Sequence, residues 1–420
     1  MPSLGSSGFG RRAASRVRIA EQIVNWTQHP DRSRPEADSR GWRDDDLAAA
    51  RFAVQVHGLG PLLHVRLNRS VPQTAGADVR AGTAFREFLA FVAHCHDMNA
   101  RRYARWRAEL ERVFAETARL NIPLVALKGA ALLPTVWRTS TARAAGFGPA
   151  LRPTSDIDVL ARPADRAALE NALRRIGWVP HGDTSRHRVF FLARLGLEPR
   201  RDRVGEHPDQ PLRLEVHEHA VQTFIGLRHD CTDALWQSPS PVRSGHAHIV
   251  VPAAGGLFEH VLMHTAFDLA KRLTRAIKLK DLCLLAPYLT EGDWSGLAAH
   301  ARDSRLERFY LAPLIMAERH LGPIAPLDIM KALERATPSS LVAWLRHTPL
   351  SDFTICRSIG RRPTDVWSRL RWLPPGRARI AGARRMVLPA RSERLEEFVA
   401  AGQGTSLWAY YRAQIARWRG

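Results

Sequence analysis

In "LRPTSDIDVLARPAD" (Leu151 to Asp165), Ile157, Val159 and Leu160 read as a short buried strand, yet Asp156 and Asp158 interrupt it. Asp is depleted in strands, so two of them need a reason. Side chains alternate across a strand, which puts both carboxylates on one face, roughly 6–7 Å apart. At contact distance and an effective dielectric of 20, two such charges repel by about 4 kcal/mol. A divalent cation is the obvious compensating charge. A solvent-facing edge strand is the alternative.

The flanking sequence predicts a small sheet. Upstream, "IPLVALKG" (Ile122 to Gly129) is an apolar run closed by glycine, read as a buried strand and a tight turn. "AALLPTVWR" then reads as a helix and "TSTARAAGFGPALRP" as a loop. Downstream, "PADRAALENALRRIGW" reads as a helix, with Pro163 in its first turn and Gly177 at its stop. "HRVFFLARL" and "PLRLEVHEHAV" read as two further strands, joined by the polar "GLEPRRDRVGEHPDQ". The expected fold class is α+β, a small mixed sheet flanked by N- and C-terminal helical regions. The expected divisions are a loose segment at 1–45, a helical region at 46–120, an α/β core at 121–225 and a helical region at 250–420. Within the first helical region, "FREFLAFVAHCHDMNARRYARWRAELERVFAETARLN" reads as one long helix or two. Its His94-Cys95-His96 run reads as helix surface and core, because adjacent helical residues point in different directions.

A third acid joins the pair. In "LRLEVHEH", Leu212, Leu214 and Val216 share one strand face, and Arg213, Glu215 and His217 share the other. Asp156, Asp158 and Glu215 could thus converge from two strands. Such an oxygen-rich cluster suits Mg²⁺ or Mn²⁺. Metal held there could stabilise both the attacking and the leaving oxygen of a phosphoryl displacement. Gly129 lets backbone approach a phosphate, the following helix N-terminus favours an anion, and Lys128 can supply a point charge. A plain strand-to-helix turn is the alternative.

The series of strand, Lys-Gly turn, helix, "DID" strand and "LEV" strand resembles the DNA polymerase β-like nucleotidyltransferase superfamily. It is most similar to an uncharacterised bacterial nucleotidyltransferase family, over roughly residues 50 to 300. "VHGLGPLLHVRL" resembles that family's helical lead-in and "LFEHVLMHTAFDLAKRLTRAIKLKDLCLLA" its follow-on. The resemblance implies that Asp156, Asp158 and Glu215 are the catalytic and metal-binding acids. It implies nucleotide-binding roles for Lys128, Gly129 and Arg152, and for Arg275 and Lys278 further along. His217 matches a family histidine. Glu215 stands where Asp is usual. Gly129-Ala130 replaces the wider superfamily's Gly-Ser or Gly-Gly and lacks the hydroxyl. "TSTARAAGFGPA" reads as an insertion. The implied cofactor is Mg²⁺ or Mn²⁺. The implied partners are an NTP and an unidentified acceptor: a small molecule, sugar, protein or RNA.

Composition narrows the remaining classes. Among 420 residues the net charge is +21, but only five of the 62 basic residues are lysine. Arginine and alanine abundance throughout fits a GC-rich coding bias as well as a binding surface, so nucleic acid is possible but not indicated. Cys95, Cys231, Cys283 and Cys356 lack CxxC spacing, which argues against a disulfide scaffold or zinc ribbon and makes the cytoplasm the expected compartment. No apolar run approaches the ~18 residues of a membrane span, and the N-terminus has no hydrophobic signal core. His260 and His264 share a helix face, but "HVLMH" lacks the glutamate of a zinc protease and reads as packing or surface. The rival functions are a DxD-type glycosyltransferase and a non-catalytic nucleotide- or nucleic-acid-binding regulator on the same scaffold.

Overall fold

A computed structural model describes residues 17–27, 35–39, 41–70, 83–144, 146–183, 187–195, 209–353, 369–374 and 376–387. Its centre is a five-stranded sheet of β1 (Leu124–Ala126), β2 (Asp156–Ala161), β3 (Trp178–Asp183), β4 (His187–Leu192) and β5 (Arg213–His217). The spatial order is β1-β2-β5-β4-β3. Only β2 and β5 run parallel; the other neighbours are antiparallel. The fold is therefore α+β with a small mixed sheet. β3 was not anticipated: its Pro180 and Gly182 read as breakers, and the register shifts between them. The connection expected over "GLEPRRDRVGEHPDQ" falls largely outside the described residues, as does "SLWAYYRAQIARWRG" at the C-terminus.

One face of this sheet is oily and the other carries the acids. Ile157, Val159, Phe190, Leu192, Leu214 and Val216 join a single core with helical Trp106, Leu110, Val113, Leu169 and Leu173. Burying each such aliphatic side chain stabilises the fold by about 1.5–3 kcal/mol, which fixes which face points inward.

The longer helices leading into the sheet are α1 (Asp44–His57), α2 (Gly60–Ser70) and α3 (Thr83–Arg119). α3 is one unbroken helix of 37 residues rather than two. It stops where Asn121 turns left-handed at φ 55° just ahead of Pro123. Within the segment expected to be loose, residues 17–27 are helical, with Ile19, Ile23, Val24 and Trp26 buried. Trp26 stacks on Trp42 at 5.5 Å between ring centroids, and Phe85 and Phe88 of α3 meet both edge-on. Ile19, Ile23 and Trp26 recur at helical spacing, but the short run follows the polar, arginine- and serine-rich stretch that set the reading of the whole segment.

Between β1 and β2, helix α4 (Lys128–Leu132) is only five residues long. The helix expected through Pro134 ends before that residue, which cannot continue it. A short helical turn at Val136–Arg138 closes the stretch read as helix, and turns at Ser140–Ala144 and Pro149–Leu151 occupy the stretch read as loop. After β2 comes α5 (Arg166–Arg175), and Gly177 past its end takes φ 88°, as its stop position requires. Beyond β5 lie two hairpins, β6 (Val221–Phe224) with β7 (Leu227–Asp230) and β8 (Ser240–Ser244) with β9 (Ala247–Val251). Then follow α6 (Ala254–Lys271), α7 (Ala276–Leu285), α8 (Glu291–Asp303) and α9 (Glu307–Leu321).

Lys280 of α7 is a costly core residue. It is 5% exposed and its ammonium lies 5.6 Å from the centre of the Phe147 ring. Burial, then the nearby Arg66 charge, pushes it down to about 7. A lysine whose folded value lies below its unfolded one destabilises the fold. The penalty is full below about pH 7 and fades as pH rises toward the unfolded value. We expect Lys280→Met to raise stability at pH 6 by up to about 4 kcal/mol, and to flatten the rise of stability between neutral and alkaline pH. Urea titrations at several pH values read this directly; an unchanged pH slope would contradict it.

Candidate active site

The parallel pairing of β2 with β5 sets Asp156 beside Arg213 and Asp158 beside Glu215. The antiparallel neighbour β4 brings His187 opposite His217. The alternation read from the sequence is therefore what the sheet displays: Asp156, Asp158, Arg213, Glu215 and His217 on one face. Asp158 and Glu215 are buried, while the Asp156 side chain is 26% exposed.

Basic groups thread between these acids. Lys128 Nζ donates to Asp158 Oδ1 at 2.7 Å. His217 Nε2 hydrogen-bonds the same oxygen at 3.1 Å. Arg213 reaches Asp156 Oδ2 at 3.0 Å and Glu215 Oε1 at 2.8 Å, bridging the strands. His187 Nε2 lies 3.5 Å from Glu215 Oε2, and its ring centre is 4.9 Å from that of His217. Lys128 takes φ 45°, a left-handed conformation that costs a non-glycine residue roughly 1–2 kcal/mol.

Protonation follows from this arrangement. Burial opposes charge on Asp158, but the Lys128 ammonium and the His217 hydrogen bond hold its carboxyl well below the usual range. Burial, then the charges of Asp158 and Asp156, pushes Glu215 up to about 8. Burial, then His217 and Lys128, pushes His187 down to about 4. Three carboxylates thus crowd a largely buried face, and burial beside its neighbours disfavours charge on Glu215.

A divalent cation would favour the charged carboxylates, and the donor set fits one. Ligand atoms of His187, Glu215 and His217 lie within 4.8 Å of one another, and Asp158 shares His217 with them. Carboxylate oxygens suit Mg²⁺ and Mn²⁺ alike; imidazoles beside them suit Mn²⁺ better.

Other residues singled out in the sequence have structural partners. Arg152 makes a paired contact with Asp281, Nε to Oδ1 and Nη2 to Oδ2, both at 2.8 Å. Trp137 Nε1 donates to the same carboxylate at 2.9 Å. Arg152 thereby joins α7 to the turn before β2. Its Nη1 stands so close to Gly129 that a Cβ there would lie 2.9 Å away, which is why glycine follows Lys128. Arg275 is not brought to the acids. Its guanidinium donates to the Val56 carbonyl at 3.0 Å, satisfying the C-terminal end of α1. Lys278 pairs with Asp268 and meets His264 Nδ1 at 3.1 Å. His260 is buried, with neither ring nitrogen hydrogen-bonded among the described residues. Burial, then Lys128 and His217, pushes it down to about 3.

Sequence reading missed two residues of α3 that hold the acid strand. Arg102 is fully buried and donates to the carbonyls of Thr154, Ser155, Gln210 and Pro211, at 3.1, 2.9, 3.1 and 3.4 Å. These carbonyls belong to the lead-ins of β2 and β5. Trp106 Nε1 donates to the Asp156 carbonyl at 2.8 Å. The two sit four residues apart on one helix face, a signal that only the sheet's position makes readable.

Comparison with known proteins adds the family. No curated protein matches this chain. Three solved structures share low similarity. The solution structure of the antibiotic-resistance factor ANT(2'')-Ia is 13% identical with a TM-score of 0.34, covering 49% of this chain and 96% of that one. A crystal structure of ANT(2'')-Ia with adenylyl-2''-tobramycin is also 13% identical, with a TM-score of 0.34, covering 48% and 99%. An antigenic nucleotidyltransferase-like protein from Paracoccidioides brasiliensis is 10% identical with a TM-score of 0.29, covering 54% and 96%. Residues 52–322, more than half of the chain, match the family described as uncharacterised nucleotidyltransferase, and the chain belongs to that family of enzymes.

Proposed function

We propose that the protein transfers a nucleoside monophosphate from an NTP to an acceptor in a reaction dependent on Mg²⁺ or Mn²⁺, with Asp156, Asp158 and Glu215 as its acids. The supporting observation is the crowding of these carboxylates on neighbouring strands, with Glu215 pushed up to about 8 by burial and then by the charges of Asp158 and Asp156. When bound by the three acids, the metal would supply charge neutralisation at the phosphates and a more acidic acceptor hydroxyl. Lys128 would exchange Asp158 for a phosphate oxygen, acting as a mobile point charge. Arg213 would keep Asp156 and Glu215 aligned. The acceptor oxygen would attack the α-phosphorus, the bond to the β-phosphate oxygen would break, pyrophosphate would leave, and Glu215 would take the acceptor proton. Family membership favours this reading over the glycosyltransferase and the non-catalytic regulator.

The test incubates the full chain with each α-labelled NTP and Mg²⁺ or Mn²⁺, in the presence of protein, RNA or a small-molecule extract. Metal-dependent pyrophosphate release with label on one acceptor fraction is expected, with Mn²⁺ at least as effective as Mg²⁺. Absence of both turnover and NTP binding under every condition would overturn the reading.

A further inference from the structure

A second cluster lies outside the acid face. His229 of β7 and Cys231 just beyond it are two residues apart, so the strand's alternation sends both to one side. Glu259 in α6 meets them there. One ligand atom from each of the three lies within 4.8 Å of the others, and all three residues are buried. His300 of α8 borders the group on its Glu259 side: its Nδ1 is 2.6 Å from Glu259 Oε1, and its ring centre is 5.2 Å from that of His229.

Two observations mark this as more than a polar patch. His229 is 3% exposed, and its Nε2 lies 3.3 Å from Glu259 Oε1 yet makes no hydrogen bond among the described residues. A buried imidazole nitrogen without a bond is costly. Glu259 is also held from outside the cluster by the Tyr310 hydroxyl, the kind of outer support that orients a metal-ligating carboxylate.

We infer that His229, Cys231, Glu259 and His300 form a structural transition-metal site that takes Zn²⁺. With His300 turning in from beside Glu259 as the fourth, two imidazoles, one thiolate and one carboxylate make a borderline-soft, four-ligand set typical of that ion. Binding would release the Cys231 thiol proton to solvent and form the sulfur–zinc bond. His300 is 44% exposed at its side chain and gives the ion a way in. The site would fasten the β6–β7 hairpin to α6 and α8, with His260, the residue after Glu259, held in α6 beside the acid face.

The experiment strips the full-length protein with chelator and reloads it with Zn²⁺ or Co²⁺. Expected are one tightly held ion, a Tm increase of about 5 °C or more on adding Zn²⁺, and a near-ultraviolet thiolate-to-cobalt charge-transfer band. Cys231→Ala, a small change at a buried thiol, is expected to lose the band and the Zn²⁺-dependent increase while its metal-free Tm stays near that of the stripped wild type. Asp158→Asn is expected to keep both, which separates this site from the acid cluster whether or not nucleotide transfer is found. A wild type without the cobalt band, or a band that survives Cys231→Ala, would overturn the inference.

Discussion

Asp158→Asn is expected to lower nucleotidyl transfer by about 10³-fold or more while the fold persists, because in the proposed reaction one carboxylate would serve both charge and position at the reacting phosphate. Asparagine keeps an oxygen where Lys128 Nζ now sits at 2.7 Å, so the buried ammonium retains an acceptor. The lost charge also relieves Glu215, whose rise to about 8 owes part to Asp158. These opposing effects keep the expected stability change within about 2 kcal/mol, well short of the 3–5 kcal/mol for stripping a buried pair of one partner. Steady-state pyrophosphate release with a parallel thermal melt checks both halves. Wild-type turnover in this variant would remove Asp158 from the chemistry.

The second large effect is on the fold. Arg102→Met leaves four carbonyls, on two separate strand lead-ins, without the donor that now joins them. At roughly 1–3 kcal/mol for each buried polar group left unsatisfied, the loss approaches the whole 5–15 kcal/mol stability of an ordinary domain. We expect insoluble or unfolded protein, read by far-ultraviolet circular dichroism and a urea titration. Arg102→Lys is expected to recover little, since three donors on a point charge cannot replace five in a planar fork. A Met variant melting within about 2 °C of wild type would show that the lead-ins hold their register without Arg102.

The acid face was legible in the sequence because a strand has a period of two, and alternation alone sorts Asp156, Asp158, Glu215 and His217 from Ile157, Leu214 and Val216. The α+β class and the central strands followed from the same alternation and from the Gly and Pro stops. What neutralises the acids was less legible. Arg213 lies on the predicted face, but only the parallel register places it between Asp156 and Glu215. His187 depends on β4 returning beside β5. Arg152 was read toward phosphate, but α7 supplies its buried carboxylate partner from Asp281. Arg275 likewise reads as a free cation until α1 presents its carbonyls. The cluster around Cys231 escaped notice because each element gives it only one or two ligands, whereas CxxC spacing is a local signal. Pairings made across long stretches of chain leave no periodic mark.

The parallel pairing of β2 with β5 also bears on when the acid cluster assembles. Asp156 and Arg213 are 57 residues apart in sequence. Closing a loop of that size costs on the order of 3–4 kcal/mol in chain entropy before any contact repays it. β1 and the β3–β4 hairpin are linked more locally and are the faster steps by topology. A chain still on the ribosome with β5 unsynthesised holds both aspartates but neither the third acid nor the arginine that aligns it. On the proposed function, competence to hold a nucleotide would arrive with the last strand of the sheet, not with the strand that carries the motif.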